Sequence, residues 1–422
     1  MPDEDQPMSS SKPAKPTRSP RPAKSAKPAQ SAQSVERVAA PRLPTALVYD
    51  PTFLDHHVPD GFPEVPARVA GAIAMIDALI AEGSLPAEHV PRLDARPATK
   101  DELGMVHPLA HVERVRHACE AVLEYGGYEA SPRRFASDVY VSPGSYEAAL
   151  RAAGAPLVAL DAIGEGRARN GYALVRPPGH HAGAEIAMGF CLFNNVAVAA
   201  RYAQRRWGWR RVLIVDYDVH HGNGTQDIFY EDGDVLYFST HQFPFYPGTG
   251  ASAERGRGAG LGATVNVPLP ADSGWSVYDP IFRQVLWPVA DRFKPDVVLL
   301  SAGFDAHWSD PLAEMRLSTA DYSDLTLEVA EIADRYCEGR LVAVQEGGYN
   351  LDAIAQCAAT VLFALTGSDR VVDNLGEAPP INFRWNEDAI LKALYELHDL
   401  SGYRRKPRRP ILPEQYVRPT EG

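Results

Sequence analysis

Val212-Leu213-Ile214-Val215-Asp216-Tyr217-Asp218-Val219-His220-His221-Gly222-Asn223-Gly224 opens with four aliphatic residues and closes with carboxylates, imidazoles and glycines. A short apolar run that gives way at once to polar groups has the form of a strand buried on both faces and leaving a parallel sheet at its edge. Six more runs share that form: Ala46–Tyr49, Tyr172–Val175, Val235–Ser239, Thr264–Val267, Val297–Ser301 and Leu341–Gln345. Between them lie segments of helical periodicity, at Ala67–Ala81, Tyr146–Ile163, Asn194–Arg206, Trp275–Phe293, Ala320–Tyr336 and Leu351–Leu365. This alternation predicts an α/β fold of three αβα layers around a central, mainly parallel sheet.

Residues 45–402 read as one domain between two tails. Residues 1–44 hold nine of the 36 prolines and eight Lys/Arg against four Asp/Glu, which predicts a disordered basic segment. Residues 403–422 form a second basic, Pro-rich tail containing Arg404–Pro410. Residues 45–422 carry 34 basic against 50 acidic residues, which favours cationic ligands and argues against a nucleic-acid site in the folded domain. No apolar run approaches the roughly 18 residues of a spanning helix, and Met1–Gln6 lacks a signal peptide's apolar stretch. A cytoplasmic location with no membrane partner is expected, and an oligomer is left open. Cys119, Cys191, Cys337 and Cys357 are too far apart for a zinc knuckle and read as buried thiols.

The polar clusters fall where the strands end: Arg176–His181, Asp216–Asn223, His241–Gly250, Ala302–Asp310 and Glu346–Asn350. Open α/β sheets bind ligands beyond the carboxyl ends of their strands, so one shared site is implied. In an extended chain Asp216, Asp218 and His220 fall on one side, with neighbours of that set about 6.6 Å apart at Cα. Asp305, after the strand Val297–Ser301, brings a further carboxylate to the same edge. Two oxygen donors and one nitrogen donor, with a position left for water, suit a catalytic Zn²⁺; Fe²⁺ is the alternative ion. A salt-bridged strand end is the competing reading for either segment alone.

Pro177, Pro178 and Gly179 fix a tight loop that presents His180 and His181. A metal-activated water needs a base, and a leaving amine needs an acid. The expected partners are Asp216 for His180 and Asn223 for His181. A carboxylate raises an imidazole's pKa more than an amide does, leaving His181 neutral as base and His180 charged as support. Tyr349, hinged on Gly347 and Gly348, is placed to donate to a substrate oxyanion. Phe190, after Gly189, and Tyr246 are candidate walls of a narrow channel.

With these motifs in this order, the chain resembles the histone deacetylase family of the arginase-deacetylase fold, and its class II-like bacterial members in particular, from about Tyr49 to Gly367. The resemblance implies Zn²⁺ on Asp218, His220 and Asp305, proton transfer by His180 and His181, and Tyr349 as carbonyl polariser. It implies Phe190 and Tyr246 as channel walls, and a structural K⁺ near Asp216, Asp218, His220, Ser239 and Thr240. Asn223 in place of an aspartate matches the class II pattern, and Arg68 matches an arginine of the family's inner cavity. The segment His107–His111 lacks the acid with which many relatives hold a substrate's backbone. Leu312 stands where polyamine-specific relatives carry a carboxylate. The expected reaction is hydrolysis of N-acetylated lysine side chains; an acetylpolyamine or other small acylated amine is the alternative, and a silent acyl-lysine binder comes third.

Overall fold

The computed structural model describes residues 43–381 and 386–400, and the backbone of a two-residue strand at 416–417. The predicted tails lie outside the described residues except for Leu43, Pro44 and that strand, which pairs in parallel with Val371–Val372.

Eight strands form the central sheet: β1 Thr45–Tyr49, β2 Arg92–Asp94, β3 Asn170–Ala173, β4 Val212–Asp216, β5 Val235–Gln242, β6 Thr264–Leu269, β7 Val297–Ala302 and β8 Leu341–Gln345. Their order is β2-β1-β3-β8-β7-β4-β5-β6, and every pairing is parallel. The aliphatic side chains of β4, β7 and β8 are inaccessible to solvent, as strands covered on both faces require. β2, an exposed three-residue edge strand, carries no apolar run and was not predicted. β3 begins two residues before the expected Tyr172, because Asn170 and Gly171 pair with Thr45 and Ala46 of β1. Gly171 has no room for a side chain there, since an added Cβ would lie 2.8 Å from the Ala159 Cβ of the helix above.

The predicted helices are found at Ala67–Ala81, Ser145–Gly164, Asn195–Trp207, Thr319–Cys337 and Leu351–Thr366. The expected helix over 275–293 is interrupted at Phe282–Leu286 by a wider π turn. Leu351–Thr366 is buried from Ala353 to Leu365 and packs between Ala67–Ala81 and Thr319–Cys337. Asn350 caps it, its side chain accepting from the Asp352 and Ala353 amides. That cap fixes the point at which the chain leaving β8 turns into the helix. No helix among the described residues is long and apolar enough to cross a membrane.

Candidate metal and proton-transfer site

The chain turns at the end of β4 bring the site together. Asp216 is the strand's last residue, and its Oδ1 accepts from the Asp218 amide at 3.2 Å. Asp218 Oδ1 in turn accepts from the His220 amide at 2.9 Å. Two successive carboxylate-to-backbone turns, rather than the expected extended alternation, therefore set these side chains. His220 Nδ1 ends 3.3 Å from Asp218 Oδ1 and 3.1 Å from Asp305 Oδ2, and one donor atom from each residue lies within 4.8 Å of the others. The neighbouring loops lock the carboxylates in place: Asp218 Oδ2 accepts from the Gly347 amide at 2.7 Å, and Asp305 Oδ1 from the Val219 amide at 2.8 Å.

Asp218 and Asp305 are fully buried, and His220 nearly so. Among the described residues no Lys or Arg pairs with either carboxylate. Burying such charge is costly unless a cation joins it. The demand registers on His220: burial works against its charge, yet Asp218 and Asp305 push its pKa up to about 10. Either a proton or a metal ion must supply that positive charge. The donor set fits Zn²⁺, and the surrounding backbone leaves space only for the ligands themselves: a Cβ on Gly303 would lie 1.9 Å from Asp218 Oδ2, and one on Gly347 2.2 Å from Asp305 Oδ2.

Beside this triad stand the two histidines. His180 Nδ1 is 3.1 Å from Asp216 Oδ2, and His181 Nδ1 is 2.9 Å from Asn223 Oδ1, the pairing expected from their sequence. Burial disfavours charge on both rings. For His180 the carboxylates of Asp218 and Asp216 overcome it and raise the pKa to about 10. For His181 burial wins: the charges on His180 and His220 add to it, they outweigh the opposing pull of Asp218 and of the Asn223 hydrogen bond, and the pKa falls well below the usual value. Glu346 was missed by the sequence reading, although its carboxylate holds the histidine loop by accepting from the Gly179 and His180 amides at 2.6 and 3.1 Å. Its place directly before Gly347 and Gly348 was the available signal.

Tyr349 lies at the other side, its ring 5.7 Å from that of Phe190 and its loop tied to Asp218 through Gly347. Arg68 sits behind the tyrosine ring, 5.0 Å from its centroid, and donates to Glu64 Oε1 and to the carbonyls of Gly348 and Glu346. It therefore braces the tyrosine loop. Tyr246 stacks edge-on to His181 and His220, at 5.2 and 5.9 Å. Phe245, also unpredicted, lies flat against His220 at 5.5 Å, and Phe62 meets Phe190 at 4.9 Å. Leu312 is half-buried, and its amide donates to Asp310 Oδ1 at 2.9 Å. Ser239 is opposite Asp216 in the β4–β5 pairing, and the buried Thr240 hydroxyl beside it has no hydrogen-bond partner.

In the segment His107–His111 both histidines are buried and bonded to the Ala184 and Leu192 carbonyls, while Pro108, Leu109 and Ala110 between them are exposed. Asp138 bridges the segments that carry Phe190 and Tyr246: it accepts from the Gly189 amide at 3.1 Å and from the Tyr246 hydroxyl at 2.7 Å. Asp138 follows no strand of the central sheet, so the strand-end rule did not point to it.

Comparison with known proteins agrees with this geometry. A model of the histone deacetylase domain matches residues 62–365. The chain is 38% identical to histone deacetylase 14, chloroplastic, of Arabidopsis thaliana over 362 residues, covering 82% of this chain and 84% of that protein. It is 40% identical to polyamine deacetylase HDAC10 of Homo sapiens over 298 residues, 69% of this chain and 42% of the relative. The crystal structure of the HDA15 HD domain superposes with a TM-score of 0.73 at 39% identity, covering 84% of this chain and 94% of that one. A parallel sheet bearing this cluster at its carboxyl edge, together with these matches, establishes that the chain belongs to the histone deacetylase family of deacetylase amidohydrolases.

Proposed function

We propose that the protein hydrolyses the amide of N-acetylated lysine side chains with one Zn²⁺ held by Asp218, His220 and Asp305. The observation that carries this reading is the pair of unlike histidines, one on a carboxylate and one on an amide, beside a buried Asp-His-Asp triad that calls for a cation. When bound, the ion supplies Lewis acidity to the acetamide carbonyl and lowers the pKa of a neighbouring water; Fe²⁺ would suit the same donors.

The chain's own groups carry the proton traffic. Neutral His181, held by Asn223, takes a proton from the attacking water as its oxygen bonds to the carbonyl carbon. As the carbon–nitrogen bond breaks, His181 returns that proton to the leaving amine, giving acetate and free lysine. His180, kept charged by Asp216, stabilises the negative charge that develops. Tyr349 donates from its hydroxyl to the carbonyl oxygen, and more strongly to the oxyanion. Phe190 and Tyr246, with Gly189 and Leu312, enclose the lysine's methylenes and keep bulk water out. Arg68 acts through the tyrosine loop it braces. Asp216, Asp218, the His220 carbonyl, Ser239 and Thr240 would hold a K⁺ that moderates the buried carboxylates' charge.

A small acylated amine is the second reading, favoured by the relative named a polyamine deacetylase. Purified, metal-analysed protein assayed on a fluorogenic acetyl-lysine peptide beside N-acetylputrescine separates the two. Faster turnover of the peptide is expected. Preference for acetylputrescine selects the second reading, and turnover of neither by zinc-loaded protein makes the chain a binder of acyl-lysine.

A further inference from the structure

We propose that Asp310 is a positioning residue for Tyr349, a role that rests on the reading of Tyr349 as carbonyl polariser. Tyr349 sits on a loop with little side-chain packing of its own, since Gly347 and Gly348 precede it and Gly348 takes φ +107°. Such a loop is placed by bonds from outside. Arg68 supplies them on one side, through the Glu346 and Gly348 carbonyls.

Asp310 supplies them on the other. The residue is 7% exposed, and Oδ2 accepts from the Tyr349 amide at 2.6 Å and the Asn350 amide at 3.3 Å. Oδ1 accepts from the Leu312 amide at 2.9 Å. Asn350 closes the contact, its Nδ2 donating to the Ser309 carbonyl and hydroxyl at 3.0 Å each. The loop after β7, which carries Asp305, is thereby sewn to the tyrosine loop after β8.

No Lys or Arg pairs with Asp310 among the described residues, and burial beside Asp305 pushes its pKa up to about 7. A carboxylate kept in so unfavourable a place is held by the backbone N–H groups it organises. Two oxygens facing donors on both sides are needed. An amide in the same place offers one acceptor and sets an NH₂ against a backbone N–H.

The test is a double-mutant cycle on zinc-loaded full-length protein, combining Asp310→Asn with Tyr349→Phe. The substrate is a trifluoroacetyl-lysine peptide, whose electron-poor carbonyl keeps slow variants measurable. Misplacing a catalytic group by a fraction of an ångström lowers kcat, so Asp310→Asn alone is expected to reduce kcat about 10- to 100-fold, with KM and zinc content within twofold. In the Tyr349→Phe background the same substitution is expected to cost less than about twofold. An equal loss in both backgrounds, or an unchanged kcat, overturns the positioning role and leaves Tyr349's own role standing. Full activity of Tyr349→Phe alone removes both. If Asp310→Asn does not fold, Asp310→Ser, which removes the carboxylate without adding an NH₂, is read in the same way. Failure of both to fold also overturns the proposal, since the residue would then be structural.

Discussion

Adding one methyl group at Gly303 should dismantle the metal site while sparing the fold. The Cβ of Gly303→Ala would stand 1.9 Å from Asp218 Oδ2, 2.5 Å from its Cγ and 2.7 Å from its Cβ. Carbon–oxygen contacts below 3.0 Å are essentially never seen, so the carboxylate must retreat by at least 1.1 Å, the difference between 3.0 and 1.9 Å. Metal–ligand distances tolerate only about 0.2 Å. Asp218 also cannot swing freely, because its other contacts are the His220 and Gly347 amides. Disturbing the partners that orient metal ligands lowers affinity about 10- to 100-fold, so displacing a ligand itself should cost at least the upper end, about 2.8 kcal/mol. Zinc competition against a chromophoric chelator gives the affinity, and a thermal melt of the apo protein reports the fold. Gly71→Ala is the control: nothing lies within 4 Å of its Cβ. Wild-type zinc affinity in Gly303→Ala would refute the reasoning.

Other expectations follow from the same geometry. Asn223→Asp puts a carboxylate on His181 Nδ1, 2.9 Å away, and stabilises the protonated ring. The base then loses its proton only at higher pH, so the acidic limb of the kcat/KM profile should move up by about one to three units; an unmoved limb counts against His181 as base. Glu346→Ala removes the single oxygen, Oε2, to which both the Gly179 and His180 amides donate, and should lower kcat about tenfold or more at unchanged zinc content, measured by steady-state kinetics with elemental analysis. Gly71→Ala, within Ala67–Ala81, should raise stability by about 0.5–1 kcal/mol in urea unfolding of the apo protein; destabilisation would mean that this helix face is not open.

Much of the fold is legible because a sheet covered on both faces leaves a plain trace. Val297–Ala302 has no polar residue before Ser301 and Leu341–Gln345 none before Gln345, and the clusters that follow them stand next to each other in space because β8, β7 and β4 are neighbours. The pairings of His180 with Asp216 and His181 with Asn223 were legible for the same reason, since a buried imidazole needs a partner and each candidate lay in the next loop. β2 was hidden because an exposed edge strand needs no apolar run. Asp138, and the role of Asp310 within its strand-end cluster, were hidden because their partners are backbone amides and a tyrosine hydroxyl, contacts that depend on loop conformation. The turns that place Asp218 and His220 show the limit of periodicity: the right side chains were named, but the strand stops at Asp216 and carboxylate turns do the placing.

The most direct measurement is elemental analysis of protein stripped with chelator, reloaded with zinc and freed of excess ion, beside an Asp305→Asn variant taken through the same steps. One tightly held zinc per wild-type chain, at most a small fraction of that in the variant, and return of hydrolysis in step with loading are predicted. A wild-type chain that retains no more metal than the variant would contradict the account at its root.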